Sequence, residues 1–118
     1  MKSNAIRDKS FAFASRIVKV YRYLIKEQNE YILSKQLLRS ATSIGANVEE
    51  ALSGVSKADF IHKLSISAKE AREASYWLRL LHDNGYLKST AFDSLHSECV
   101  ELLKIINSII LTSKNGTV

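Results

Sequence analysis

The 118-residue chain contains no proline, only four glycines and one cysteine. Because proline and glycine break or weaken helices, their scarcity favours long uninterrupted helices. The lone cysteine, Cys99, excludes an internal disulfide and fits a reducing compartment. No apolar run approaches the roughly 20 residues of a membrane span, and the N-terminal MKSNAIRDKS has no apolar signal core. We therefore expect a cytoplasmic protein with no membrane contact.

Composition and charge indicate one basic globular domain. Hydrophobic residues make up 46% of the chain and charged residues 25%, as in ordinary soluble proteins. The length fits a single domain over residues 1–118 that buries roughly two thirds of its unfolded surface. The net charge of +5 permits binding to nucleic acid or to an acidic partner, and it is equally compatible with solvated lysines.

Apolar residues recur at helical spacing in four segments. Short connections between consecutive helices imply that neighbours run antiparallel. The predicted fold class is therefore all-α, an antiparallel up-down-up-down four-helix bundle. The four predicted helices cover about residues 3–28, 35–53, 57–84 and 90–113.

Capping residues mark the expected helix ends. Ser34 is the expected N-cap of the second helix. Capping boxes, each a Ser or Thr with an acidic residue three positions later, mark the start of the third and fourth helices. A glycine in the left-handed conformation is expected to end the second and third helices. The capping boxes are Ser56 with Asp59 and Thr90 with Asp93, and the glycines are Gly54 and Gly85.

The third helix has a second apolar set on the side away from its core face. It consists of Ile66, Trp77 and Leu80, with Tyr76 beside them. A lone bundle would leave these side chains in water, and a patch with Trp and aliphatic residues often marks an interface. We therefore predict self-association through these four residues. The alternative is that long neighbouring side chains cover the patch within a monomer.

The first helix carries most of its charge on one side. Residues 1–26 contain seven Lys or Arg and one acidic residue, and Arg16, Lys19, Arg22 and Lys26 share one side with Tyr23 among them. Phosphate backbones bind such surfaces by releasing counterions, without sequence readout. This pattern predicts RNA or DNA binding, with an ordinary solvated helix face as the alternative. Tyr23 is either a base-stacking residue or a partly buried tyrosine.

We find no catalytic constellation and predict no metal, no cofactor and no enzymatic activity. Asp59-x-x-His62 and Asp93-x-x-His96 approach the Glu-x-x-His motif of di-iron bundles. They begin the third and fourth helices, which in an antiparallel bundle places them at opposite ends, roughly 40 Å apart. His96 and Cys99 are only two of the four ligands that zinc prefers.

Two segments resemble the four-helix-bundle family of 23S rRNA intervening-sequence proteins: QLLRSATSIGANVEEALSG (36–54) and SKADFIHKLSISAKEAREASYWLRLL (56–81). The combination of R-S-A-x-S-I-x-x-N-x-x-E, then D-F, then K-E-x-x-E ahead of Y-W-L carries the resemblance. It implies small bacterial helical proteins without an established enzymatic activity. It also implies similarity to the accessory proteins of diversity-generating retroelements, pentameric barrels with basic surfaces that bind a reverse transcriptase and nucleic acid.

The resemblance therefore favours a homopentamer and singles out a set of polar residues. These residues form either a functional polar surface on the oligomer or a network that pairs the second and third helices, within or between subunits. We favour the network, because opposite charges near an interface usually satisfy one another. The set consists of Arg39, Asn47, Glu50, Glu70 and Glu73, with Ser43 on the same stripe.

The function predicted from these features is a non-catalytic homo-oligomer, by resemblance a pentamer, that binds nucleic acid non-specifically through the basic side of the first helix. The alternative is a protein–protein adaptor that docks a reverse transcriptase or a ribosomal or other ribonucleoprotein partner. The two hypotheses differ in salt dependence, since phosphate binding weakens steeply as salt rises.

Overall fold

Four helices make up nearly all of the structure, a computed structural model that describes residues 2–54 and 56–116, with side chains from residue 5 onward. They are α1 (Lys2–Glu27), α2 (Leu33–Leu52), α3 (Lys57–Asp83) and α4 (Ser89–Lys114). Each helix packs against the next in sequence and α1 also contacts α4, forming an antiparallel up-down-up-down bundle of 47 × 21 × 21 Å. The predicted fold class is confirmed. No helix in the described ranges is both long and apolar enough to cross a membrane.

The core consists of one apolar stripe from each helix. The stripe of α3 extends far round the helix, because α3 packs on both α2 and α4. Ala74 and Leu81 are buried, whereas Phe60 and Ser75 are half-buried. The largest fully buried side chains are Ile6, Phe13, Ile17, Leu24, Leu37, Ile44, Leu64, Leu78, Leu81, Leu95, Leu102 and Ile106.

Short side chains let the helices approach closely, which explains the abundance of Ser, Ala and Gly in α2. A Cβ atom on Gly45 would lie 3.4 Å from Ser10 Oγ and 3.5 Å from the Ser10 backbone of α1. Between α2 and α3, buried Ser67 Oγ donates a hydrogen bond to the Ile44 carbonyl at 2.8 Å. Larger residues at these positions would push the helix backbones apart.

The contact between α3 and α4 also includes a short buried side chain that donates a hydrogen bond to a carbonyl of the neighbouring helix. Buried Cys99 Sγ donates to the Ala71 carbonyl at 3.2 Å. Burial raises the pKa of the Cys99 thiol to about 12, so the sulfur stays protonated at neutral pH. Cys99 is therefore a core residue, and its buried thiol is not a reactive group.

The N-terminus of α2 is capped by Glu30 and not by Ser34, so the predicted cap is wrong. The helix begins at Leu33, two residues earlier than predicted, which places Ser34 inside it. The Glu30 carboxylate accepts hydrogen bonds from the backbone N–H groups of Ile32, Leu33 and Ser34 at 3.1, 3.0 and 2.6 Å. Ser34 Oγ instead donates to the Glu30 carbonyl at 2.7 Å.

The predicted N-cap Ser56 and the predicted left-handed Gly85 at the two ends of α3 are confirmed. Ser56 Oγ accepts a hydrogen bond from the Asp59 backbone N–H at 3.0 Å. Gly85 adopts a left-handed φ of 82°, and the N–H groups of Gly85 and Tyr86 return to the carbonyls of His82 and Leu81. This paired arrangement closes the C-terminus of α3 and turns the chain toward α4.

Gly54 follows the C-cap Ser53 of α2, as predicted, but its expected conformation is wrong, and so is the predicted cap of α4. Gly54 is not left-handed; a Cβ there would lie 2.6 Å from Asp59 Oδ2, so the glycine makes room for that carboxylate. Thr90 and Asp93 do not cap α4, because the helix begins one residue earlier, at Ser89. Extended Lys88 occupies the N-cap position without a side-chain cap hydrogen bond.

We predict that Glu30→Gln lowers the free energy of unfolding by about 1–2 kcal/mol at pH 7, since an amide replaces a carboxylate that caps three N–H groups. Burial alone would raise the pKa of Glu30, but the hydrogen bonds from Leu33, Ser34 and Ile32 lower it overall from 4.5. The stabilisation is therefore complete above pH 4.5 and is lost as the pH falls through the lower folded-state pKa.

Urea denaturation of wild type and variant at pH 7 and near pH 3 measures this difference. The difference in the free energy of unfolding between the two proteins should be smaller at the acidic pH, because the Glu30 side chain then approaches the neutral charge of the amide. Glu27→Gln, at an exposed neighbouring position, is the matched control and should change stability little. A difference in the free energy of unfolding that does not change with pH would contradict capping by the ionised carboxylate.

Candidate nucleic-acid interface

Three of the four predicted nucleic-acid-binding residues form an exposed row on α1. Lys19, Arg22 and Lys26 are all exposed. Steps of three and four residues place them on successive turns of the helix. Within the described part of the chain, none of the three forms an ion pair. Their charges are therefore available to an external anion.

The fourth predicted residue, Arg16, is engaged within the bundle. Its Nη1 atom donates to Glu98 Oε1 of α4 at 2.8 Å. About two turns nearer the N-terminus, Lys9 Nζ lies 3.6 Å from Glu101 Oε2. Both pairs bridge α1 and α4, the contacting helix pair with the least extensive packing. Arg16 therefore helps to close the bundle and contributes less free charge than the sequence predicts.

A groove between α1 and the start of α4 adds a further cation to this surface. It has a volume of about 440 Å³. Lys88 lies on its α4 side and is exposed. Lys19, Arg22, Lys26 and Lys88 are hereafter the cationic face. The groove is lined by Lys19, Val20, Tyr23, Leu87, Lys88 and Ala91.

No local sequence pattern indicates that Lys88 belongs to this surface. It lies far along the chain from α1, in the short connection after α3. The up-down topology brings the C-terminal half of α1 and the N-terminus of α4 to the same end of the bundle. A predicted four-helix bundle places these two helix ends near each other, but it does not indicate which side chain of the connection faces α1.

The predicted oligomer residues are only partly available on the surface. Ile66, Trp77 and Leu80 are half-buried, and Trp77 packs against the core. Tyr76 is 46% exposed. The Tyr76 and Trp77 rings meet edge-on with their centres 5.1 Å apart. The Arg79 guanidinium carbon lies 5.8 Å from the centre of the Tyr76 ring. Ile66 lies three turns away along α3, so the structure joins Tyr76 with Trp77 but not with Ile66.

The polar network joins α2 and α3 within one chain. Arg39 Nη1 lies 3.3 Å from Glu70 Oε1, and Arg39 Nη2 contacts Glu73 Oε1. Glu70 is buried, so the pairing offsets the cost of removing its carboxylate from water. Glu73 Oε1 also accepts a hydrogen bond from Trp77 Nε1 at 3.4 Å. These contacts link the polar network to the predicted oligomer residues.

The rest of the predicted network does not join this cluster. Asn47 Nδ2 donates to the Ser43 carbonyl of its own helix at 2.9 Å. Glu50 is exposed, and its carboxylate takes part in none of the side-chain hydrogen bonds or ion pairs found in residues 2–54 and 56–116. The interhelical network is therefore smaller than the sequence predicts and consists of Arg39, Glu70 and Glu73.

Comparison with known proteins identifies the family. The family model described as 23S rRNA-intervening sequence protein matches residues 2–108. The chain belongs to this family. A crystal structure of a protein of unknown function from the S23 ribosomal protein family of Bacteroides thetaiotaomicron VPI-5482 is similar to it, with 49% identity and a TM-score of 0.93. The match covers 95% of this chain and 100% of the Bacteroides chain. Among curated proteins, none matches.

Two of the three histidines, His82 and His96, stack on Phe92. His96 Nε2 lies 2.8 Å from Ser75 Oγ, and its ring stacks on Phe92 with centres 5.0 Å apart. Burial, and then the positive charge of Arg79, lowers the pKa of His96. In the described part of the chain, no three His, Cys, Asp or Glu side chains come together in a group that could hold a metal ion.

We predict that Arg39 and Glu70 are energetically coupled within the folded chain. A double-mutant cycle of Arg39→Ala and Glu70→Ala should give a coupling energy of about 1 kcal/mol, because these two charges attract each other only when both are present. Chemical denaturation of the four proteins measures it. The control cycle pairs Arg39→Ala with Glu50→Ala, which lies three turns away on α2 and should give no coupling. Strictly additive effects of Arg39 and Glu70 would contradict the network.

Proposed function

We propose that this protein is a non-catalytic homo-oligomer that binds nucleic acid through the cationic face. The observation that carries the proposal is the row of Lys19, Arg22 and Lys26, which are exposed and free of ion pairs among the described residues. Phosphate is the natural ligand of such a row, because each contact releases condensed counterions from the nucleic acid.

The chemistry of the cationic face favours contact with the backbone over readout of bases. Its members are lysines and an arginine on long flexible side chains, which position a phosphate backbone without reporting its sequence. The row from Lys19 to Lys26 spans roughly 10 Å of α1, which is room for a few successive phosphates. The binding we propose is therefore non-specific and depends on salt.

We further propose that the protein assembles with itself, as a pentamer by its resemblance to retroelement accessory proteins. The apolar residues Ile66, Tyr76, Trp77 and Leu80 remain our candidates for the contact. Tyr76 is the member whose ring is most available to a second subunit. A ring of subunits would repeat the cationic face around the assembly and add their fields at a bound polyanion.

The adaptor hypothesis makes a different prediction for the same surface. A protein–protein adaptor would still bind a purified reverse transcriptase, or the protein component of a ribonucleoprotein, after nuclease treatment. This binding would depend less on salt than phosphate binding does. The adaptor hypothesis is favoured if the wild type retains no RNA or DNA at low salt but does bind such a protein.

The prediction for the oligomer concerns Tyr76. Light scattering at high micromolar concentration should give a mass several times that of one chain. Tyr76→Glu should shift the mass toward a single chain, because burying an unpaired carboxylate in an apolar contact costs several kcal/mol. Tyr31→Glu, at another exposed tyrosine in the α1–α2 connection, is the control. A monomeric wild type would overturn the assembly.

The prediction for nucleic acid compares two triple variants with equal net charge. Lys19→Gln/Arg22→Gln/Lys26→Gln should weaken binding to duplex RNA or DNA at least about tenfold near 0.1 M salt. It should also reduce the slope of log K against log salt by about 2–3, since each lost phosphate contact removes about 0.9. Equilibrium gel shifts across a salt series measure both quantities.

The control triple is Lys35→Gln/Lys69→Gln/Arg72→Gln, which removes three exposed cations from α2 and α3. It should leave most of the affinity and the salt slope in place. Equal losses in both triples would show that net charge alone, and not the cationic face, attracts nucleic acid.

A further inference from the structure

The groove between α1 and α4 differs chemically from the rest of the cationic face. Val20, Leu87 and Ala91 give it an apolar lining, and Lys19 and Lys88 lie beside that lining. Its volume of about 440 Å³ lies within the range of pockets that bind small organic groups. A phosphate alone would need the lysines but would gain nothing from the apolar lining.

Tyr23 provides a flat surface in this groove. Its side chain is 40% exposed, so part of the ring is accessible. Gln28 Nε2 donates a hydrogen bond of 2.7 Å to the Tyr23 hydroxyl, which holds the outer end of the ring. A ring held in this way loses less freedom when it stacks on a ligand than a freely rotating ring does.

The two lysines line the same groove as Tyr23 and can hold negative charge beside its ring. Lys19 lies one turn before Tyr23 on α1, and Lys88 lies on the α4 side of the groove. Within residues 2–54 and 56–116, neither lysine forms an ion pair. The occupant must therefore combine a flat apolar portion with anionic groups beside it.

We propose that the groove binds one unpaired nucleobase of a single-stranded nucleic acid, stacked on Tyr23, with the neighbouring phosphates held by Lys19 and Lys88. The inference rests on the proposed function, because both lysines belong to the cationic face. It adds that the strand is unpaired at this point, since bases inside a duplex are stacked on one another and cannot reach a protein ring. Stacking of this kind tolerates any base.

The experiment compares single-stranded and duplex RNA of equal length by fluorescence anisotropy. The probes are a labelled oligouridine and a labelled duplex, titrated with the full-length protein at one salt concentration. Tyr23→Ala should weaken binding of the single strand by about 5- to 100-fold, the range for losing one stacked base. The same change should alter duplex binding less than about twofold, because phosphate contacts remain.

Three variants make the result specific. Tyr23→Phe keeps the ring and should retain most of the single-strand affinity. Tyr31→Ala removes an exposed tyrosine outside the groove and should change neither probe. Lys88→Gln should weaken both probes and reduce the salt slope by about 0.7–0.9. Thermal unfolding of Tyr23→Ala, expected to match wild type closely, excludes a loss of fold.

The outcomes separate the two proposals. If wild type binds both probes and Tyr23→Ala changes neither, or weakens both equally, the base-stacking site is overturned while phosphate binding by the cationic face stands. If wild type binds neither probe at low salt, both proposals fail. Displacement of the oligouridine by an equimolar mononucleotide would also overturn the single-strand site, because the groove would then bind free nucleotides.

Discussion

Close approach of the helices at short side chains is the constraint on which the rest of the bundle depends. Gly45 of α2 lies against Ser10 of α1, where a Cβ atom would be in van der Waals contact, 3.4 Å from Ser10 Oγ. Ser67 and Cys99 place a hydroxyl and a thiol against carbonyl groups of the neighbouring helix. With the backbones this close, the large aliphatic residues of the four helices are buried together in the centre of the bundle.

The contact between α1 and α4 is built differently, and the candidate site follows from that difference. Ion pairs of Arg16 with Glu98 and of Lys9 with Glu101 bridge these two helices. Beyond them, toward the C-terminal end of α1, the helices enclose the groove that contains Tyr23. An apolar groove with cations beside it thus lies where the bundle is least tightly packed.

The placement of carboxylates decides which cations remain available. Glu70 and Glu73 neutralise Arg39 between α2 and α3, and Glu30 satisfies the backbone N–H groups that begin α2. Since these acids are engaged elsewhere, they do not neutralise the cationic face. The contact of Glu73 with Trp77 also ties the Arg39 cluster to the apolar residues of α3.

The four helices and most core residues could be read from local patterns, because helical periodicity depends on residues three or four apart in the chain. Side-chain partners across helices depend on the rotation and axial shift of each helix, which such patterns do not encode. For this reason the sequence indicated a basic side of α1, but only the assembled bundle pairs Arg16 with Glu98 and brings Lys88 beside α1. Glu30 displaced Ser34 as the α2 cap for a related reason, since a longer side chain in the connection reaches three N–H groups at once.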